Sequence, residues 1–471
     1  GHSERVPDKN LAILDGDHLF KRKLRQALDC RAIGEVCLDT ESDALADLAT
    51  DLPVSRLTRP AALASNATDG HEMFAWECSQ RPDADIWIQL LCTAPFVSAA
   101  TISRAIDALL ADPDADSLVA VSRAKQYCWE GETPAYGTGR IPNSVDLPAT
   151  VIEAMSLYIV RRPASGEVPT RRYGTRPILF DLDPIEQIDI NRGSDLVIAE
   201  TVAAGQRAAE VTRFRAMISH LSSTVLADIC KDMKIPAILP PNLRPTSGGK
   251  LLGRAKTLEL RGITPDDPAD GWKGIYGALE SYRFVRPGDV IMVATDVPER
   301  AYFGDLNANL AIRSGAVGAV IDGTTRDTAD VRALGFPVYA RISNCNDIKY
   351  EGTVRSMNRP IQMGGVQVCN DDVVFADEDG VIVVPRSRWQ EVEAAAWDVM
   401  SNEARIRIYA ARGRDVLFLS KELDERCGVA CNRTGLARER GVGDLGLACK
   451  LGFLEIGHAD DVHSPLAIDV R

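Results

Sequence analysis

Apolar residues along this chain recur in two alternating textures, short continuous runs that read as buried strands and longer stretches with helical spacing. In the first 210 positions the runs Glu35–Asp39, Ile86–Leu91, Ser117–Val121 and Ser156–Val160 predict strands. The stretches Phe20–Leu28, Asp43–Leu48 and Ile102–Leu110 predict helices between them, and a helix over Asp195–Ala208 closes the unit. This is α/β patterning around a mainly parallel sheet. Beyond Glu210 the texture changes: Leu221, Val225, Leu226 and Ile229 mark one face of a helix that runs into a Pro- and Gly-rich stretch, 235–249. Strands are expected at Lys256–Leu260, Asp289–Ala294, Ala316–Ile321, Val338–Ala340 and Val381–Val384, with turn residues such as Pro287-Gly288-Asp289 between them. A helix over Gln390–Tyr409, apolar at Val392, Ala395, Ala396 and Val399, packs on this second α/β unit. The expected division is 1–210, 211–430 and a Gly-rich extension, 431–471, with no internal repeat.

A chain of 471 residues exceeds one ordinary core, in keeping with two domains. No apolar run approaches the ~20 residues of a membrane span, so no membrane partner is expected. The net charge of −13 opposes non-specific nucleic-acid binding. Its 11 cysteines form no CxxC pairs, which argues against a disulfide framework and for a reducing cytoplasm. Cys427 and Cys431, with His458 and His463 downstream, match no standard zinc spacing. The chain opens at Gly1 with neither an initiator Met nor a signal peptide, and an upstream segment is expected.

In the second unit, Gly304-Asp305-Leu306 stands where a strand or loop turns into a helix, with Asp305 as candidate N-cap. A helix of about ten residues rises ~15 Å, and the strand that follows returns ~16–20 Å. Residues 322–327 thereby come back beside the helix start, bringing Asp305 towards Arg326-Asp327 at strand C-termini and a helix N-terminus. An anionic keto acid suits such a place: Asp327 can hold a hard cation, Arg326 can meet a developing oxyanion, and Asp305 can orient a proton-carrying water. On spacing alone a second reading stays open, in which Arg326 and Asp327 are a surface pair opening the next helix and Asp305 is a simple cap.

The stretches Gly304–Leu306, Gly318–Asp327, Phe336–Arg341 and Ala376–Pro385 together resemble the RraA-like family, which includes 4-hydroxy-4-methyl-2-oxoglutarate aldolases that also decarboxylate oxaloacetate. The similarity covers about residues 215–425, and Asp305, twenty intervening residues, then Arg326-Asp327 is the spacing of its enzymatic members. The resemblance implies a swivelling α/β sandwich, trimeric or hexameric. It further implies Mg²⁺ or Mn²⁺ at Asp327, and substrate held by Arg326 and by the backbone of Gly304 and Leu306. Asp228, Gly253 and Thr257 are expected to serve folding, and Asp377 and Asp379, though spaced like metal ligands, read as turn residues.

At the other end, residues 1–11 form a small-residue loop with two cations, Arg5 and Lys9, suited to a triphosphate, although a solvated basic loop has the same composition. With Glu35–Asp43, Arg59–Ser65, Leu90–Phe96 and Ile188–Asn191, it resembles the cytidylyltransferases that activate acidic ulosonic sugars as CMP derivatives. These have a nucleotide-diphospho-sugar transferase-like fold. The resemblance spans about residues 1–208 and assigns Arg5 and Lys9 to the triphosphate, Ser3 and Asn10 to the loop and nucleotide, and Asp189 to the metal. The chain departs from that family at three places: the strand ahead of the loop, central to the sheet, is absent; Leu91 replaces a usual Gln; and Asn191 replaces the second metal carboxylate. The resemblances together imply a bifunctional homo-oligomer acting on a keto acid and on CTP with an acidic sugar. The alternative is a cytidylyltransferase whose RraA-like domain only oligomerises or regulates.

Overall fold

In the computed structural model, which describes residues 9–64 and 67–413, both parts of the chain are α/β. Ser3, Arg5, Cys427, Cys431, His458 and His463 lie outside the described residues. The described residues up to 401 form one compact unit.

The second part is built on a nine-stranded sheet. Arg244–Ser247, Val338–Ser343, Gly318–Thr325, Asp289–Thr295, Leu251–Gly262, Val373–Ala376 and Val381–Val384 lie side by side in that order, with Ala301–Phe303 and Gly352–Met357 paired off this path. Its centre is parallel, Leu251–Gly262 to Asp289–Thr295 to Gly318–Thr325 to Val338–Ser343. Each crossover passes through helical turns: Gly271–Phe284, Asp305–Arg313 and Thr328–Ala333. Side chains alternate between two cores. Val290, Met292 and Val320 face one cluster with Val374 and Val383, whereas Ile291, Val293, Ala319 and Ile321 face the other. Both faces are covered, so these strands read as unbroken apolar runs. A third core seals Val373, Phe375, Ile382 and Val384 beneath the helices Ser223–Asp232 and Trp389–Ala411.

The strand expected over Ala316–Ile321 begins at Gly318 and continues to Thr325. It runs longer because Ala301–Phe303 adds a parallel pairing to Thr324 and Thr325, which periodicity along the single strand does not reveal.

The first part has a four-stranded sheet in the order Pro177–Asp181, Ser117–Ala124, Thr150–Arg161, Ile86–Leu90. Three of its strands share one direction, and Thr150–Arg161 runs against them. Thr150–Arg161 returns from a long excursion directly opposite the strand it left, with Ala124 facing Thr150, and so runs antiparallel to both neighbours. Only Pro177–Asp181 pairs parallel within it. Cys37–Thr40 and Ser55–Thr58 form a separate parallel pair. Cys37–Thr40 and Ile86–Leu90 both line one cavity of about 920 Å³, together with Leu24, Leu57 and Phe74. Among the described residues, each of these two strands is paired on one side only.

The helix Gly193–Ile218 runs without a break through residue 210. The two parts also meet through the hairpin Ile13–Leu14/Asp17–His18, whose turn enters the second part. There Arg286, almost fully buried, contacts Asp15 and Asp371 and holds Asp289 at 3.2 Å. Lys256 Nζ reaches Gly16 O at 3.3 Å. Surrounded by carboxylates, the Arg286 guanidinium is held well above its ordinary pKa against the effect of burial, and Asp371 is pushed well below its own by the cations Arg286 and Lys256. Among the described residues, no helix is long and apolar enough to cross a membrane.

Candidate active sites

The parallel order of the second sheet puts the C-terminal ends of Gly318–Thr325 and Val338–Ser343 at one rim, beside the N-terminus of the helix Asp305–Arg313. Gly304 occupies the N-cap and Asp305 is the first helical residue, one position later than the sequence reading had it. The shift has a local cause: Ala308 N–H donates to Gly304 O, closing the first turn on the glycine. Two hydrogen bonds sew the strand end to this corner, Arg326 N to Phe303 O at 2.8 Å and Thr325 Oγ1 to Phe303 O at 2.8 Å.

Arg326, Asp327 and Gly304 therefore converge. Asp305 N–H donates to Asp327 Oδ2 at 3.3 Å, and Arg326 Nε lies 3.5 Å from the same oxygen. A Cβ on Gly304 would overlap Asp327 Oδ2 and press on Arg326, so only glycine leaves room for this pair. Asp327 itself has φ +55°, a left-handed conformation uncommon for a residue with a side chain. The Arg326 and Asp327 side chains each keep 34% of their surface exposed, within reach of a solute.

The Asp305 carboxylate does not join them: among the described residues it has no hydrogen-bond or ion-pair partner, and its contribution to the corner is the backbone N–H. The Leu306 side chain is 72% exposed and leaves the backbone beside the site open. Asp377 and Asp379 behave as a turn. Asp377, buried, accepts hydrogen bonds from Ser223 N at 2.9 Å, Ser223 Oγ at 2.6 Å and Asp379 N at 3.1 Å, capping a helix start rather than facing a ligand. Gly253 and Thr257 are structural as expected. A Cβ on Gly253 would overlap Gly288 O, and Thr257 N donates to Asn370 Oδ1 at 3.2 Å.

Among the described residues no three acidic, histidine or cysteine side chains gather as a metal cage. The Arg326–Asp327 corner suits a cation that keeps most of its water, because one oxygen of Asp327 has no partner among the described residues and one carboxylate is a usual protein anchor for Mg²⁺. Sequence reasoning missed Asp347, whose Oδ2 lies 2.5 Å from Arg326 Nη1. Nothing in periodicity or motif spacing points to it, since it sits on an irregular turn brought in by the neighbouring strand.

In the first part, Lys9 Nζ donates to Ile190 O at 3.0 Å, and the Cys92 thiol lies 3.2 Å from Asn10 Oδ1. Lys9 is thus drawn to the Asp189 segment and Asn10 to the Cys92 turn. Asp189 Oδ2 accepts from Asn191 Nδ2 at 2.6 Å, while its buried Oδ1 has no partner among the described residues, which fits a cation. Asn191 turns an amide donor towards Asp189 where a second carboxylate would have offered oxygen. In the neighbouring cavity Lys23 is buried, with no partner for Nζ among the described residues, and burial lowers its pKa to about 7. Burial, then the charge of Asp39, pushes Glu77 up to about 8.

A solute-facing arginine and carboxylate at the end of a parallel sheet, joined to a mixed-sheet unit with a cation-ready aspartate, define a two-part α/β enzyme-family protein. Residues 223–383 match the sequence family described as Aldolase/RraA, and residues 1–129 match the Cytidylyltransferase family. A putative 4-hydroxy-4-methyl-2-oxoglutarate aldolase of Halalkalibacterium halodurans is 32% identical over 160 residues, 34% of this chain and 71% of that protein. The chain belongs to the RraA-like family and carries a cytidylyltransferase domain ahead of it. Among solved structures, Streptomyces coelicolor RraAS2, titled an unusual member of the RNase ES inhibitor RraA family, is 28% identical with a TM-score of 0.37, covering 42% of this chain and 96% of its own. CMP:2-keto-3-deoxy-manno-octonic acid synthetase with CTP is 12% identical with a TM-score of 0.31, covering 43% of this chain and 95% of its own.

Proposed function

We propose that the second domain is a divalent-metal-dependent lyase that cleaves or decarboxylates pyruvate-derived keto acids. In this reading the first domain transfers CMP from CTP to an acidic ulosonic sugar. The observation that carries the lyase reading is the convergence of Arg326 and Asp327 on the Gly304–Asp305 helix start, at the end of a parallel sheet. Asp327 holds the cation, Mg²⁺ or Mn²⁺, which when bound polarises the keto oxygen of the substrate. Arg326 donates to the oxygen on which negative charge grows, and the N–H groups of the first helical turn beyond Asp305 receive the substrate carboxylate. Asp305, at the helix start, orients the water that carries the proton.

In the first domain Arg5 and Lys9 hold the triphosphate, Ser3 and Asn10 the loop and nucleotide, and Asp189 the cation. Positioning and electrostatics supply most of the acceleration. The pairing is chemically coherent: joining pyruvate to an aldehyde sugar yields a 3-deoxy-2-ulosonic acid, the kind of acid the first domain would load onto CMP. The same proposal includes a cytoplasmic homo-oligomer, trimeric or hexameric, with its division near residue 210.

Pyruvate release from a panel of 4-hydroxy-2-keto acids and oxaloacetate, with and without chelator, tests the lyase. Pyrophosphate release from CTP with a 3-deoxy-2-ulosonic acid tests the transferase. Chelator-sensitive pyruvate release is expected, and its absence across the panel overturns the lyase reading. CTP turnover without pyruvate release would favour a cytidylyltransferase with a non-catalytic RraA-like domain.

A further inference from the structure

The guanidinium of Arg326 is flanked on two sides by carboxylates. Asp327 Oδ2 stands 3.5 Å from Nε, and Asp347 Oδ2 stands 2.5 Å from Nη1. Nη2 has no partner among the described residues. Asp347 reaches this place on a turn fastened at every step. Asn344 N–H donates to Thr325 O at 2.9 Å, Ala301 N–H to Asn346 O at 2.8 Å, and Ile348 N–H to Ala301 O at 3.1 Å. Asp347 also forms a parallel bridge with Ala301, and the adjoining Ile348 is 2% exposed within the core. The second oxygen of Asp347, Oδ1, accepts from Lys349 N at 2.6 Å, so the carboxylate is itself held in orientation.

From this geometry we infer that Asp347 is a positioning residue for the lyase reaction, fixing the Arg326 guanidinium so that Nη2 faces the substrate oxygen. The inference rests on the lyase reading of the same site. A long, flexible arginine that is one-third exposed loses side-chain entropy when it is held for an oxyanion. A rigid carboxylate already bound to Nη1 removes much of that loss before substrate arrives. The alternative, a mobile carboxylate that covers Arg326 until substrate displaces it, does not suit a turn sewn to two strands and anchored by a buried isoleucine. Asp347 touches Arg326 and not the reacting atoms.

Asp347→Asn is the informative variant, because the amide oxygen still accepts from Lys349 N while the charged contact to Arg326 is lost. For Mg²⁺-dependent oxaloacetate decarboxylation, kcat should fall about 10- to 100-fold with KM changed less than about threefold, since orientation is spent in the transition state. Asp347→Glu should restore part of the loss. An unchanged kcat, or a lower KM at full kcat, overturns the inference, the second result being that of a displaceable cover. A second readout does not depend on activity. In protein labelled at the arginine guanidinium carbon and nitrogens, with the Arg326 signal assigned by its loss in Arg326→Lys, the wild type should show slow rotation about Nε–Cζ and Asp347→Asn fast rotation. Equal rotation in both overturns the placement of Arg326. Restrained rotation in a wild type that lacks decarboxylation would instead sink the lyase reading and leave the placement standing.

Discussion

The two domains treat their sheets differently. In the RraA-like domain, strands pair without interruption from Arg244–Ser247 to Val381–Val384, and cores press on both faces. In the cytidylyltransferase domain, Cys37–Thr40 and Ile86–Leu90 are separated by a cavity of about 920 Å³, and among the described residues Lys23 Nζ, Gln89 Oε1 and Asp189 Oδ1 are buried without partners. The contrast teaches where each site gets its rigidity. Arg326 and Asp327 sit directly on a continuous strand end, while Lys9 and Asn10 lie on a short helical turn and Asp189 on a loop outside the strands.

The largest expected effect of that difference is on stability. Phe375→Ala, in the closed core of the second domain, should cost about 3–5 kcal/mol, whereas Leu57→Ala, on the wall of the cavity, should fall near the low end for its type, about 2 kcal/mol. Urea unfolding of the two variants measures both, and equal losses would remove the contrast. Next is Gly304→Ala. Its new methyl must push Asp327 and Arg326 aside, so decarboxylation should fall about 100-fold while the thermal midpoint moves little. A proportionate loss of stability would mean that the glycine serves folding alone.

Asn191→Asp sharpens the comparison from the other side. It restores a second carboxylate beside Asp189 and should raise Mg²⁺-dependent CTP turnover about tenfold. No gain would place the limit elsewhere in the domain. The smallest effect is Lys23→Met. Burial holds the folded-state pKa of Lys23 at about 7, below its ordinary 10.5, so the native state carries the full cost of a buried ammonium below pH 7. That cost disappears as pH rises from 7 to 10.5, where the unfolded chain still holds the proton and the folded chain does not. The variant should therefore gain stability, most below pH 7, with the gain shrinking towards pH 10. A pH-independent midpoint difference would contradict this.

The legible parts of the molecule were those governed by local pattern. Buried parallel strands such as Asp289–Thr295 and Gly318–Thr325 announce themselves as apolar runs, and the spacing of Asp305 to Arg326-Asp327 follows from the lengths of one helix and one strand. What could not be read depends on pairing between distant segments. The antiparallel return of Thr150–Arg161, the extension of Gly318–Thr325 by Ala301–Phe303, and the arrival of Asp347 beside Arg326 are each decided by a partner strand.

The central claim is that Asp327 and Arg326 form a cation-assisted keto-acid site, and one titration tests it directly. Oxaloacetate decarboxylation by the wild type and by Asp327→Ala is measured as Mg²⁺ is raised from zero. The account predicts a saturable rise for the wild type, and for the variant a rate at least about 100-fold lower at every Mg²⁺ concentration. Identical curves for the two proteins would contradict it.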